Sequence, residues 1–161
     1  MTAEPSPLPP LIVEEALNQA LNGNPIGGGM LLAPLIEESR AECFALCAML
    51  ATAALTGTKP KPASGMFVLE VEDTWTGQPG RPENLPPELA FAAQFATAWG
   101  NKDRTAAQAL FDALADQAHT EAGMERLIDG VLVLYGMAIA TTRALIQEQR
   151  NNPNHRKDQS R

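Results

Sequence analysis

Two stretches, Cys43 to Leu55 and Gly130 to Thr142, each run thirteen residues without a charged side chain. A run of about 10–14 such residues is too short to cross roughly 30 Å of hydrocarbon and as a rule belongs to a core helix. Glu37, Glu38, Arg40 and Glu42 precede the first run, and Asp129 and Arg143 bracket the second. Lengthening either into a membrane span therefore buries charge. Two long central helices and no membrane contact are expected.

The rest of the composition supports helices. Alanine occurs 26 times among 161 residues, against 11 for valine and isoleucine together. Alanine loses no rotamer freedom in a helix and packs poorly in a strand. The length suits one domain with a real core. Residues 1–149 carry 18 acids and 8 bases, and residues 150–161 carry a net +3. A body that acidic repels phosphate backbones, so no nucleic-acid partner is expected.

Turn and cap residues divide the chain. Pro5, Pro7, Pro9 and Pro10 predict an extended arm over 1–10. One helical domain over 11–149 and a disordered basic tail over 150–161 follow. A short helix with Val13, Leu17, Ala20 and Leu21 on one face ends at Gly23 and Pro25. Gly27-Gly28-Gly29 reads as a hinge loop, because no strand precedes it and no Walker lysine follows. Pro34 is expected in the first turn of a second helix reaching Thr56.

Between Gly57 and Pro86, Pro or Gly fills nine of thirty positions. Within this loop Phe67, Leu69 and Val71 alternate with Val68, Glu70 and Glu72, the period of a half-buried strand. A lone strand must pair with something, either nearby in the loop or in a second copy of the chain. Pro87 opens the third helix, which ends at Gly100. Thr105 with Gln108 has capping-box spacing for the fourth, and Thr120 caps the fifth. The sum is an all-α, five-helix orthogonal or bundle-like domain with one short β segment in the 57–86 loop.

Gly123, Gly130 and Gly136 fall inside the fifth helix, each costing about 1 kcal/mol against alanine. Close packing is the expected compensation. Gly136 and Ala140 form a small-xxx-small pair that admits another backbone, and Val131 to Tyr135 leave no polar face. A second subunit completes the cover. The partner-contact candidates are therefore Gly136 and Ala140 on the helix, and Phe67, Leu69, Val71 and Trp75 in the loop.

Residues for chemistry are sparse. His119 and His155 are the only histidines, leaving no zinc pair and no nucleophilic triad. His119, Thr120 and Glu121, with Glu125, make at most a weak metal candidate. Cys43 and Cys47, four apart on a helix, sit too far apart for a disulfide and are expected as free thiols. With MTAEPSPLPP lacking a basic and then apolar leader, that points to the cytoplasm.

Carboxylates at i, i+4, namely Glu38 and Glu42, Asp112 and Asp116, and Glu125 and Asp129, suit Mg²⁺. Helical nucleotide pyrophosphatases place glutamates as EExxE, and Glu37-Glu38-Ser39-Arg40-Ala41-Glu42 departs from that spacing. The expected role is a non-enzymatic interaction or accessory protein acting as a homodimer, open to a further protein partner and needing no cofactor. The alternative is a Mg²⁺-dependent, nucleotide pyrophosphatase-like hydrolase using Glu38, Glu42, Glu125 or Asp129.

Overall fold

Proline and small polar caps set where each helix starts. The computed structural model describes residues 8–58, 65 and 84–152. Six helices occur among them: α1 (Pro9–Leu21), α2 (Pro25–Glu38), α3 (Arg40–Leu55), α4 (Pro87–Gly100), α5 (Arg104–Ala115) and α6 (Glu121–Asn151). The fold class is all-α, and no strand occurs among the described residues. The expected strand around Phe67, Leu69 and Val71 lies outside them, as do residues 1–7 and 153–161.

Four local expectations are corrected. Pro9 and Pro10 belong to the first turn of α1 rather than to an arm, because a residue without an N–H loses nothing there. The triple glycine is helical rather than a loop. Asn24 caps α2 by accepting the Gly27 N–H at 3.0 Å, and Pro25 occupies the first turn. Pro25 thus starts a helix as well as ending one.

The third correction concerns the long second helix, which is two. Pro34 lies inside α2, and Ser39 is extended at φ −163°, ψ 161°. The Ser39 hydroxyl then caps α3 by accepting the Glu42 N–H at 3.1 Å. A hydroxyl at the break satisfies an otherwise unbonded donor, so the chain turns there at little cost. Fourth, Asp103 and not Thr105 caps α5, accepting the Ala106 N–H at 2.9 Å. Thr120 caps α6 as expected, accepting the Gly123 N–H at 3.0 Å.

The two uncharged runs lie in α3 and α6, which pack against each other. Leu46, Leu50, Val131 and Leu134 are fully buried between the helices. A hydroxyl donated by Thr141 to the Ala54 carbonyl, at 2.7 Å, ties the ends of the pair. α4 joins this core through Phe91 and Phe95, and Trp99 donates its indole N–H to the Thr52 hydroxyl at 2.9 Å. Arg40 clamps α3 to α5 with ion pairs of 2.8 Å to both Asp112 and Asp116. Solvent screens that clamp, so apolar burial dominates the cohesion.

The glycines of α6 divide. A Cβ at Gly130 comes within 2.8 Å of the Phe91 ring, and one at Gly123 runs into the Gln117 carbonyl. Both explain their glycine by close approach inside the chain. Gly136 has nothing within 4 Å of such a Cβ.

Candidate functional site

Gly136 opens onto the face where α2 and α6 lie side by side. A groove of about 470 Å³ runs there, lined by Ile26, Gly29 and Met30 from α2 and by Ile128, Leu132 and Gly136 from α6, among others. Glu37 is the one charged residue in its wall. Its floor is fixed by Tyr135, whose hydroxyl donates to the Ala16 carbonyl at 2.8 Å. Burial pushes that hydroxyl above the ordinary tyrosine range, which keeps it protonated and donating.

The rim is apolar and bare. Ile26 is 78% exposed, Met30 71% and Leu132 40%. These three are most of the large hydrophobic side chains that stand in solvent among the described residues, the others being Leu8 and Leu11 at the start of α1. Exposed apolar residues scattered singly need no explanation, whereas a contiguous set around a groove marks a contact surface. Gly29 and Ala33 repeat on α2 the small-xxx-small spacing of Gly136 and Ala140 on α6.

Of the partner-contact candidates, Gly136 lines this groove and Ala140 is exposed one turn further along α6. Phe67, Leu69, Val71 and Trp75 lie outside the described residues. The α2 half of the surface escapes sequence reasoning, because Ile26 and Met30 flank, and Gly29 closes, a triple glycine that resembles a loop. The combination Asn24-Pro25, a cap followed by a first-turn proline, is the signal that finds it.

The carboxylate candidates are scattered. Glu38 ends α2 and Glu42 begins α3, with the extended Ser39 between them, so they do not share one helix face. Asp112 and Asp116 are engaged by Arg40. Glu125 and Asp129 are exposed on α6. Among the described residues no three His, Cys, Asp or Glu side chains converge as a metal site. His119 contacts the Asp116 carbonyl at 2.8 Å through Nδ1, and the Thr120 hydroxyl is used by the helix cap.

Cys43 and Cys47 are free and buried, as expected. Their mutual hydrogen bond and burial push the Cys47 thiol up. A second groove of about 410 Å³ lies where Pro10, Leu17, Met49 and Trp99 meet. Besides apolar lining it holds Glu14 and Thr52, and the Thr52 hydroxyl accepts the Trp99 indole N–H. By length and composition α6 alone among the described helices is able to cross a membrane, a test that core helices of soluble proteins also pass. Here it packs against α1, α3, α4 and α5.

Comparison with models of known protein families, with curated proteins and with solved structures finds no match to this chain.

Proposed function

We propose that the protein is a non-enzymatic interaction or accessory module that works as a homodimer in the cytoplasm, with the α2–α6 face as its contact surface. One observation carries this reading: Ile26, Met30 and Leu132 stand in solvent around an apolar groove whose back wall is a bare Gly136. Covering that face removes apolar area from water at about 25 cal/mol per Å². Protein is a better cover than lipid, because Asp129 and Arg143 flank the same face and remain solvated only outside hydrocarbon.

Sedimentation at two protein concentrations tests the reading. The wild-type chain is expected to shift toward a dimer at the higher concentration, and Leu132→Glu is expected to hold it monomeric. Leu132 is exposed, so glutamate there leaves the fold intact. A wild-type monomer at roughly tens of micromolar overturns the reading.

The competing reading, a Mg²⁺-dependent hydrolase using Glu38, Glu42, Glu125 or Asp129, makes an opposite thermal prediction. Ligand binding to the folded state alone raises Tm by mass action. With the carboxylates scattered, millimolar Mg²⁺ or Mn²⁺ is expected to leave Tm unchanged. A rise that disappears in Glu38→Ala and Glu42→Ala variants favours the hydrolase instead.

A further inference from the structure

Resting on the homodimer reading, we infer that the second copy docks antiparallel, α6 against α6, on a two-fold axis beside Gly136. In that arrangement Asp129 of each subunit faces Arg143 of the partner subunit. The inference starts from one line of exposed residues on α6: Asp129, Leu132, Gly136, Ala140 and Arg143. Steps of three and four residues keep them on one face of the helix.

Gly136 is the midpoint of that line. Asp129 lies seven residues before it and Arg143 seven after, or about 10.5 Å along the axis in each direction. Seven residues turn a helix by nearly two full revolutions, so both charges point within about 20° of Gly136. A two-fold axis at the midpoint sets each residue against its mirror position in number. Aspartate then meets arginine twice, while Leu132 meets Ala140 of the partner subunit, large against small.

A parallel pairing through the same glycine sets Asp129 against its own copy and Arg143 likewise, with repulsion at both ends. The charge pattern therefore selects the antiparallel form. Antiparallel alignment also opposes the two helix dipoles favourably. Among the described residues neither forms an ion pair, since those pairs involve only Arg40 with Asp112 and Asp116. Space allows the approach, because nothing stands within 4 Å of a Cβ at Gly136. Without a side chain there, helix axes close to roughly 8 Å. Ile26 and Met30 of α2 then flank the partner's helix across the groove.

Charge reversal tests the register. Asp129→Arg and Arg143→Asp are each expected to weaken self-association on the order of tenfold or more, as like charges at an interface do. The double variant recovers the wild-type dissociation constant to within about threefold, because it recreates both unlike pairs. Sedimentation equilibrium at one ionic strength reads all four proteins. A second measurement uses the double variant Leu132→Cys, Ala140→Cys, which leaves Gly136 intact and on mild oxidation is expected to give a disulfide-linked dimer, whereas Glu125→Cys is not.

A wild-type dimer in which single reversals have no effect, or in which the double variant stays weak, overturns the register and leaves the homodimer reading standing. So does a wild-type dimer in which the Leu132→Cys, Ala140→Cys double variant fails to cross-link. A wild-type monomer overturns both.

Discussion

Alanine in place of Phe95 is expected to lower the unfolding free energy by about 3–5 kcal/mol, the range for emptying a buried phenylalanine site. The ring is fully buried and sits at the centre of an aromatic cluster. Phe44 meets it edge-on at 5.9 Å, Phe91 lies at 5.5 Å, and Trp99 stacks on it at 6.2 Å with planes 5° apart. Aromatic pairs contribute about 0.5–1.5 kcal/mol each beyond the area they bury. A domain of this size is stable by about 5–15 kcal/mol, so the loss is about a fifth of the total or more.

The cluster also fixes how the chain comes together. Phe44 belongs to α3, Phe95 and Trp99 to α4 and Phe111 to α5, with Phe44 and Phe111 at 5.3 Å. Phe95→Ala therefore loosens α4 from both neighbours at once. Urea denaturation is the check, with the midpoint falling and the slope retained. Phe95→Leu keeps much of the volume and is expected to recover a large part of the loss. A change under about 1 kcal/mol for alanine means that α4 does not dock as described.

How much of this fold is legible in the sequence depends on whether a signal is local. Pro87, Gly100, Thr120 and the long α6 are readable because each cap acts within one turn of the helix it starts or ends. The split at Ser39 is harder to read: Ser39 and Glu42 stand at capping-box spacing, and the Ser39 hydroxyl accepts the Glu42 N–H, but the apolar pattern on both sides resembles one continuous helix. Thr105 with Gln108 imitates a capping box, yet Asp103 lies two residues earlier and reaches the Ala106 N–H. Two competing caps so close together are resolved by the backbone turn before them, where Lys102 takes φ 61°.

The proposed contact surface divides in the same way. Gly136 and Ala140 are legible as small residues at helical spacing, whereas the α2 wall is hidden behind glycines that belong to loops in most chains. Glu38 and Glu42 lose their common face for the reason that splits the helix. Asp112 and Asp116 do share a face, and a distant arginine occupies it, a contact that spans 72 residues and leaves no mark in local sequence.

Gly28→Ala is expected to destabilise the chain by about 3 kcal/mol, against the ordinary rule that alanine improves a helix. Gly28 is buried where α1, α2 and α6 cross. A Cβ there runs into both the Tyr135 hydroxyl and the Ala16 carbonyl, the two partners of one 2.8 Å hydrogen bond. The carbonyl is backbone and cannot swing aside, so α1 must move or the bond must break, leaving a buried donor and acceptor unpaired. At Gly136 the same substitution has the opposite sign for the monomer. Its Cβ meets open space, so Gly136→Ala gains up to about 1 kcal/mol of helix propensity. In the proposed dimer that methyl group stands between the closest backbones and is expected to weaken association. Thermal melts of both variants, with sedimentation of Gly136→Ala alongside, separate a glycine kept for packing inside one chain from a glycine kept for packing between two. Equal destabilisation by both substitutions means that Gly136 is already covered within the monomer, and the α2–α6 face then has no second copy to receive.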